Sequence, residues 1–235
     1  MAFLSFLFDY NGVLVDDEFV HLDAFRDVLG PMGITVTDDA YREKYLGFDD
    51  VGAFRAVLTD NAMPFDEARI QELVEQKKPK YLERAHRGLT LFPGAGELLR
   101  HLSDQGAVVG IVSGALRHEI ELGLDLLGAK SAVRFIVSAE DTRACKPDPE
   151  GYVIGRARLE SIGGTAVASR AVVVEDSLPG VVAALAAGLP CVAVAHSHTE
   201  AELVAAGATQ VFARLSDITD VSLANLAKRI HADST

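Results

Sequence analysis

Cysteine is scarce, with two residues in 235, Cys145 and Cys191. Two thiols without metal-ligand spacing exclude a disulfide framework and a cysteine-held metal centre, and free thiols fit a reducing cytoplasm. Basic residues are outnumbered: 22 Lys and Arg face 34 Asp and Glu, a formal net charge of −12. Nucleic acid and anionic membranes both reward clustered Lys and Arg, so neither is expected as a partner. No basic start precedes the apolar segment 1–8, which runs straight into Asp9 and does not read as a secretory signal. One uncharged stretch, 178–195, reaches the lower limit of a membrane span. Pro179, Gly180, Gly188 and Pro190 divide it into an Ala-rich helix, a turn and a Val-rich strand, a soluble-core pattern. Repeats and low-complexity tracts are absent too. What remains is an ordinary globular composition, 49% hydrophobic and 24% charged. The length suits one large domain, or one domain carrying a smaller insertion.

The chain is organised around residues 3–16, Phe-Leu-Ser-Phe-Leu-Phe-Asp-Tyr-Asn-Gly-Val-Leu-Val-Asp. Five of the six residues before Asp9 are apolar, the pattern of a strand buried on both faces. Gly12 permits an abrupt change of direction beyond it. A carboxylate at the end of such a strand lies where open α/β sheets place ligands. Taken alone, Asp9 reads as a strand-terminating turn cap.

After Asp16 the period turns helical, predicting helices over 19–29 (with Phe19, Leu22, Phe25, Val28 and Leu29 on the apolar face), 38–45, 50–58 and 65–85. Four helices without a strand imply a separate small bundle. From Leu89 onward the period alternates. Strands are expected over 107–112, 135–138, 171–174, 191–195 and 210–212, and helices over 93–105, 115–127, 149–160, 179–187, 199–206 and 221–230. The alternation predicts an α/β fold, a doubly wound and mainly parallel sheet. The core domain is 1–16 with 88–235, and the inserted four-helix cap domain is 17–87.

In such a sheet the carboxyl ends of all strands open on one edge. That edge gathers Asp9 and Asn11, then Ser113 and Gly114, then Glu175 and Asp176, with Lys146 in the loop before the helix starting at 149. A carboxylate, a hydroxyl beside free N–H groups, an ammonium and an acidic pair suit a phosphate and a divalent cation. Singly, the same residues read as a capping Ser, a solvated Lys and an Asp-Ser helix cap.

The set Asp-x-Asn-Gly-Val-Leu, Val-Ser-Gly, Lys-Pro-Asp-Pro and Val-Glu-Asp-Ser resembles the four motifs of the haloacid dehalogenase superfamily, in order and over nearly the whole chain. The helical insertion resembles its cap-bearing branch of phosphoglycolate phosphatases and β-phosphoglucomutases. The resemblance implies Asp9 as a nucleophile forming an aspartyl-phosphate, with Ser113 and Lys146 on the phosphoryl oxygens, flanked by Gly12 and Gly114. It implies Mg²⁺ as cofactor, held by Asp9, Asp176 and the backbone carbonyl of Asn11, with Glu175 acting from behind. The partner would be a small phosphorylated metabolite of the sugar-phosphate or phosphoglycolate type, and the protein a cytoplasmic hydrolase; monomer and homodimer both stay open.

Asn11 departs from the family pattern, which has a second aspartate there. That aspartate protonates the leaving oxygen and then activates water; an amide does neither. Retained phosphate and Mg²⁺ binding with impaired or rerouted proton transfer is therefore expected. A substitute acid is one route, with His21 and Asp16 the nearest candidates; His21 matches a His of the β-phosphoglucomutase-like members. A different cleaved bond, using a cap lysine, is a second, and Lys44, Lys77 and Lys78 read as surface lysines. A non-catalytic phosphometabolite-binding protein or a trapped variant is a third. In the cap, Gly47 and Phe48 resemble the specificity loop. Asp49 and Asp50 stand where the mutases carry an Arg, while Lys77 matches a mutase lysine, so a phosphomutase is the alternative activity.

Overall fold

In the computed structural model, which describes residues 5–45 and 48–232, the run ahead of Asp9 is strand β1 (Ser5–Phe8), buried along its whole length. A short strand β2 (Val15–Asp16) follows. The chain then forms helices α1 (Glu18–Leu29), α2 (Asp38–Ala40), α3 (Asp50–Asp60) and α4 (Glu67–Gly88), returning through strand β3 (Thr90–Leu91). β2 and β3 pair as a separate two-stranded ribbon. Beyond it come α5 (Ala95–Asp104), β4 (Val108–Val112), α6 (Arg117–Leu126), β5 (Val133–Val137), α7 (Glu150–Ala168), β6 (Ala171–Glu175), α8 (Leu178–Ala186), β7 (Cys191–Val194), α9 (Glu200–Ala205), β8 (Gln210–Phe212) and α10 (Asp220–Ala232). Two compact units result, Met1–Val15 with Leu91–Thr235, and Asp16–Thr90.

The first unit is built on a six-stranded sheet of order β5-β4-β1-β6-β7-β8, with every pairing parallel. β1 lies between β4 and β6, so the chain winds outward to one side and then to the other. That reversal is where such sheets open a crevice at their carboxyl ends. Leu7, Val112, Val137, Val173 and Cys191 pack with Tyr152 and Leu159 of α7 and Val181 and Ala184 of α8 in one buried cluster. Each large apolar side chain buried there stabilises the sheet by about 1.5–3 kcal/mol.

Short polar side chains start the helices that matter. Asp49 accepts from Gly52 N at 2.7 Å ahead of α3, Asp66 from Arg69 N at 2.8 Å ahead of α4, and the Ser177 hydroxyl from Gly180 N at 3.1 Å ahead of α8. Three local expectations fail. The segment 38–45 is not one α-helix: α2 gives way to a π-type turn over Tyr41–Tyr45, which buries both tyrosines and lets Tyr45 Oη donate to Asp60 at 2.8 Å. The helix expected to end at 160 runs to Ala168, kinked at Gly164, whose φ of 72° and ψ of −178° only glycine adopts readily. Phe19 is 61% exposed; the buried stripe of α1 is Leu22, Phe25, Val28 and Leu29.

Candidate active site at the carboxyl edge of the sheet

β1, β4 and β6 are neighbours, and their ends deliver Asp9, Ser113 and Glu175 side by side. Asp9 N donates to Val174 O at 2.9 Å and Ser113 N to Val137 O at 2.9 Å, so both backbones are still held in the ladder where their side chains emerge. Asp9, Ser113, Glu175 and Asp176 are all buried. Lys146 reaches in from the loop ahead of α7 and puts Nζ 2.8 Å from Asp9 Oδ1 and 2.6 Å from Glu175 Oε1. The Ser113 hydroxyl donates to Asn11 Oδ1 at 3.4 Å and accepts from Ala115 N at 3.1 Å. Asp9, Asn11, Ser113, Lys146, Glu175 and Asp176 thus share one rim.

Glu175 is saturated. Its Oε1 accepts from Lys146 and from Tyr152 Oη at 2.8 Å, and its Oε2 from Asp176 N, Ser177 N and Ser177 Oγ at 3.0, 3.1 and 3.0 Å. Burial alone would raise its carboxyl, but Lys146 and these donors hold it below the usual carboxylate range. Asp9 goes the other way: burial and the Glu175 charge outweigh Lys146 and push it up to about 7. Burial, Glu175 and Asp9 push Asp176 up to about 8. Burial opposes the charge on Lys146, yet Asp9 and Glu175 hold that ammonium well above its ordinary range.

Asp9, Glu175 and Asp176 each offer an oxygen within 4.8 Å of the others. One lysine cannot neutralise three carboxylates at this spacing, and an all-oxygen donor set suits a hard divalent cation. Gly12 leaves the space: a Cβ there would lie 2.0 Å from Asp176 Oδ2, and its φ of +75° disfavours any other residue. The residues present fit a Mg²⁺ ion, with Glu175 too fully bonded to serve as a direct ligand.

Three contributors escape the sequence reading. The loop after β7 brings Ser197, whose hydroxyl donates to Asp176 Oδ2, and His196, whose Nδ1 pairs with Gly12 O at 2.8 Å while its ring stacks on Phe92 at 4.0 Å. Extending the strand-end reading to β7 would have found both. Tyr152 lies a turn inside α7 and carries no local signal.

In the second unit, Lys77 is fully buried, not a surface lysine. Its Nζ lies 2.5 Å from Asp50 Oδ1 and 2.6 Å from His21 Nδ1, and 4.7 Å from the Phe25 ring centroid. An ammonium only donates, so His21 Nδ1 accepts and Nε2 carries the hydrogen, facing Asp17 Oδ2 at 3.1 Å. Tyr81 Oη donates to the same Asp17 oxygen at 2.8 Å. Both His21 nitrogens are engaged inside this unit, which counts against His21 as a substitute acid. Lys44 pairs with Asp60 at 3.2 Å and is 57% exposed. Phe48 is 54% exposed and so not bundle core, and Gly47 lies outside the described residues. Removing Asp50 by Asp50→Ala strands a buried ammonium and is expected to cost about 3 kcal/mol in urea unfolding. The double variant Asp50→Leu, Lys77→Met should recover most of it; no loss in the single variant would contradict the pairing.

A family model described as haloacid dehalogenase-like hydrolase matches residues 6–194. Validoxylamine A 7'-phosphate phosphatase of Streptomyces hygroscopicus subsp. limoneus is 27% identical over 92% of this chain and 94% of its own length. A phosphoglycolate phosphatase of Caulobacter vibrioides is 28% identical over 92% of each. A solved β-phosphoglucomutase of Clostridium difficile superposes with a TM-score of 0.80 at 20% identity, covering 98% of this chain and 99% of that one, and shares the fold.

Proposed function

The chain belongs to the haloacid dehalogenase-like hydrolase family, and from that premise we propose a Mg²⁺-dependent phosphatase of small phosphorylated metabolites, with Asp9 as the nucleophile. The observation that carries this reading is the buried Lys146–Asp9 contact at 2.8 Å beside the Asp176 carboxylate, three strand ends and loops meeting at one rim. Lys146 and the Ser113 hydroxyl would hold the phosphoryl oxygens, with the N–H groups after Ser113 and Gly12 close by. Asp9, Asp176 and the Asn11 carbonyl would hold the cation, which supplies charge neutralisation for the phosphate and for the acids that face it. Glu175 would act by fixing Lys146. Cys145 and Cys191, neither of them in a disulfide, support a reducing, cytoplasmic setting.

Asn11 limits proton transfer in this reading, because its amide has no proton to lend to the leaving oxygen. The mutase alternative gains no support from the cap. Asp49 is occupied capping α3, and Asp50 is occupied by Lys77.

Phosphate release from sugar phosphates and phosphoglycolate, with MgCl₂ and with EDTA, tests the proposal. Release that needs the cation and vanishes in Asp9→Ala is expected. No release by either the chain or its Asn11→Asp form ends the proposal. Ser197 positions Asp176, so Ser197→Ala is expected to weaken Mg²⁺ binding about tenfold by calorimetric titration. Unchanged affinity would leave Ser197 with no part in the site.

A further inference from the structure

Asn11 sits where its side chain meets Ser113 at 3.4 Å, two residues from Asp9 on the same rim. Its amide neither gives nor takes a proton near neutral pH. We infer that the chain draws phosphate from donors whose leaving oxygen departs as an anion without protonation, namely acyl phosphates and aryl or enol phosphates. We infer too that Asp9 then keeps the phosphoryl group as a long-lived acyl phosphate. This rests on the proposed role of Asp9 and narrows the substrate by its leaving group.

The first step is R–O–PO₃²⁻ plus the Asp9 carboxylate giving the Asp9 acyl phosphate plus RO⁻. A bond forms from an Asp9 oxygen to phosphorus, the bond to the leaving oxygen breaks, and the electron pair leaves with that oxygen. For an alkyl ester the departing alkoxide is strongly basic, and a positioned acid typically supplies about 10²–10⁴ in rate. A carboxylate or phenolate needs no such help. The second step adds water to phosphorus, returns the carboxylate and phosphate, and releases one proton to solvent. Asn11 offers that water no base, so it attacks unassisted and the acyl phosphate persists. Two neighbours on the rim are committed, since Glu175 accepts from five donors and Tyr152 donates to Glu175, and Asp176 is the proposed cation ligand.

The test uses the whole chain with MgCl₂ and three donors: acetyl phosphate, p-nitrophenyl phosphate and glycerol 3-phosphate. Intact-mass spectrometry and peptide mapping read phosphoryl transfer to Asp9, hydroxylamine confirms the acyl phosphate, and kcat/KM is read for each donor. A phosphoryl group should accumulate on Asp9 from acetyl phosphate, and the aryl ester should exceed the alkyl ester by about 10² or more. In Asn11→Asp that gap should narrow and the accumulation disappear. Equal aryl and alkyl rates in the chain itself, or turnover with no phosphoryl group on Asp9, overturn this inference alone. Failure of every donor with both forms overturns the proposed function with it.

Discussion

An Asn11→Asp variant is expected to hydrolyse alkyl phosphate esters about 10²–10⁴ times faster than the unaltered chain, with KM nearly unchanged. The two side chains are close to isosteric, and the aspartate oxygen can still accept from Ser113, which meets Asn11 Oδ1 at 3.4 Å. Substrate binding would therefore be preserved. What changes is the supply of one proton to the leaving oxygen and its recovery from the attacking water. A rate rise without a KM change assigns the deficit to the transition state. Unchanged, substantial activity in both forms would mean that another group already moves the proton. His21 is a poor candidate for that group, because Lys77 and Asp17 occupy its two nitrogens.

The Lys146→Met variant carries the second large effect. Lys146 is the cation between Asp9 and Glu175, so its loss removes one phosphate-facing donor and leaves two buried carboxylates unbalanced. Phosphate release is expected to fall about 10²–10³-fold, and folding stability by about 3 kcal/mol. The pH dependence has a definite sign. Burial already favours the neutral Glu175, and Lys146 is the largest influence opposing it. Without Lys146 the Glu175 carboxyl rises in the fold, and a carboxyl raised by folding weakens the native state as pH climbs from its unfolded value through its folded one. The deficit should be smallest in acid and grow toward neutrality. Urea titrations across pH check this; a deficit that shrinks as pH rises would contradict the ion-pair account.

The parts of the fold that were legible are those whose signal is local. β1, β4, β6 and β7 are short apolar runs closed by polar residues, and a parallel sheet aligns all such closures on one edge. Asp9, Ser113 and Glu175 could be placed together for that reason. Cys191–Val194 closes in the same way, but Ser197 comes three residues later and its bond to Asp176 spans 21 positions. Lys77 misled because its neighbours on α4 are charged, while its partners Asp50 and His21 come from helices 27 and 56 positions away. Phe19 misled in the opposite sense. It holds a helical spacing from Leu22, yet one position at a helix start does not decide which side faces the core.

The central claim is that Asp9 is the atom source for phosphoryl capture, with Ser113, Lys146 and a cation at Asp176 around it. A crystal structure of the chain grown with Mg²⁺ and beryllium fluoride tests it most directly. The account predicts beryllofluoride bonded to an Asp9 carboxylate oxygen, flanked by Ser113 and Lys146, with the cation on Asp9 and Asp176. Asp9 left free, with Lys146 still closed on it and the cation elsewhere, would contradict it.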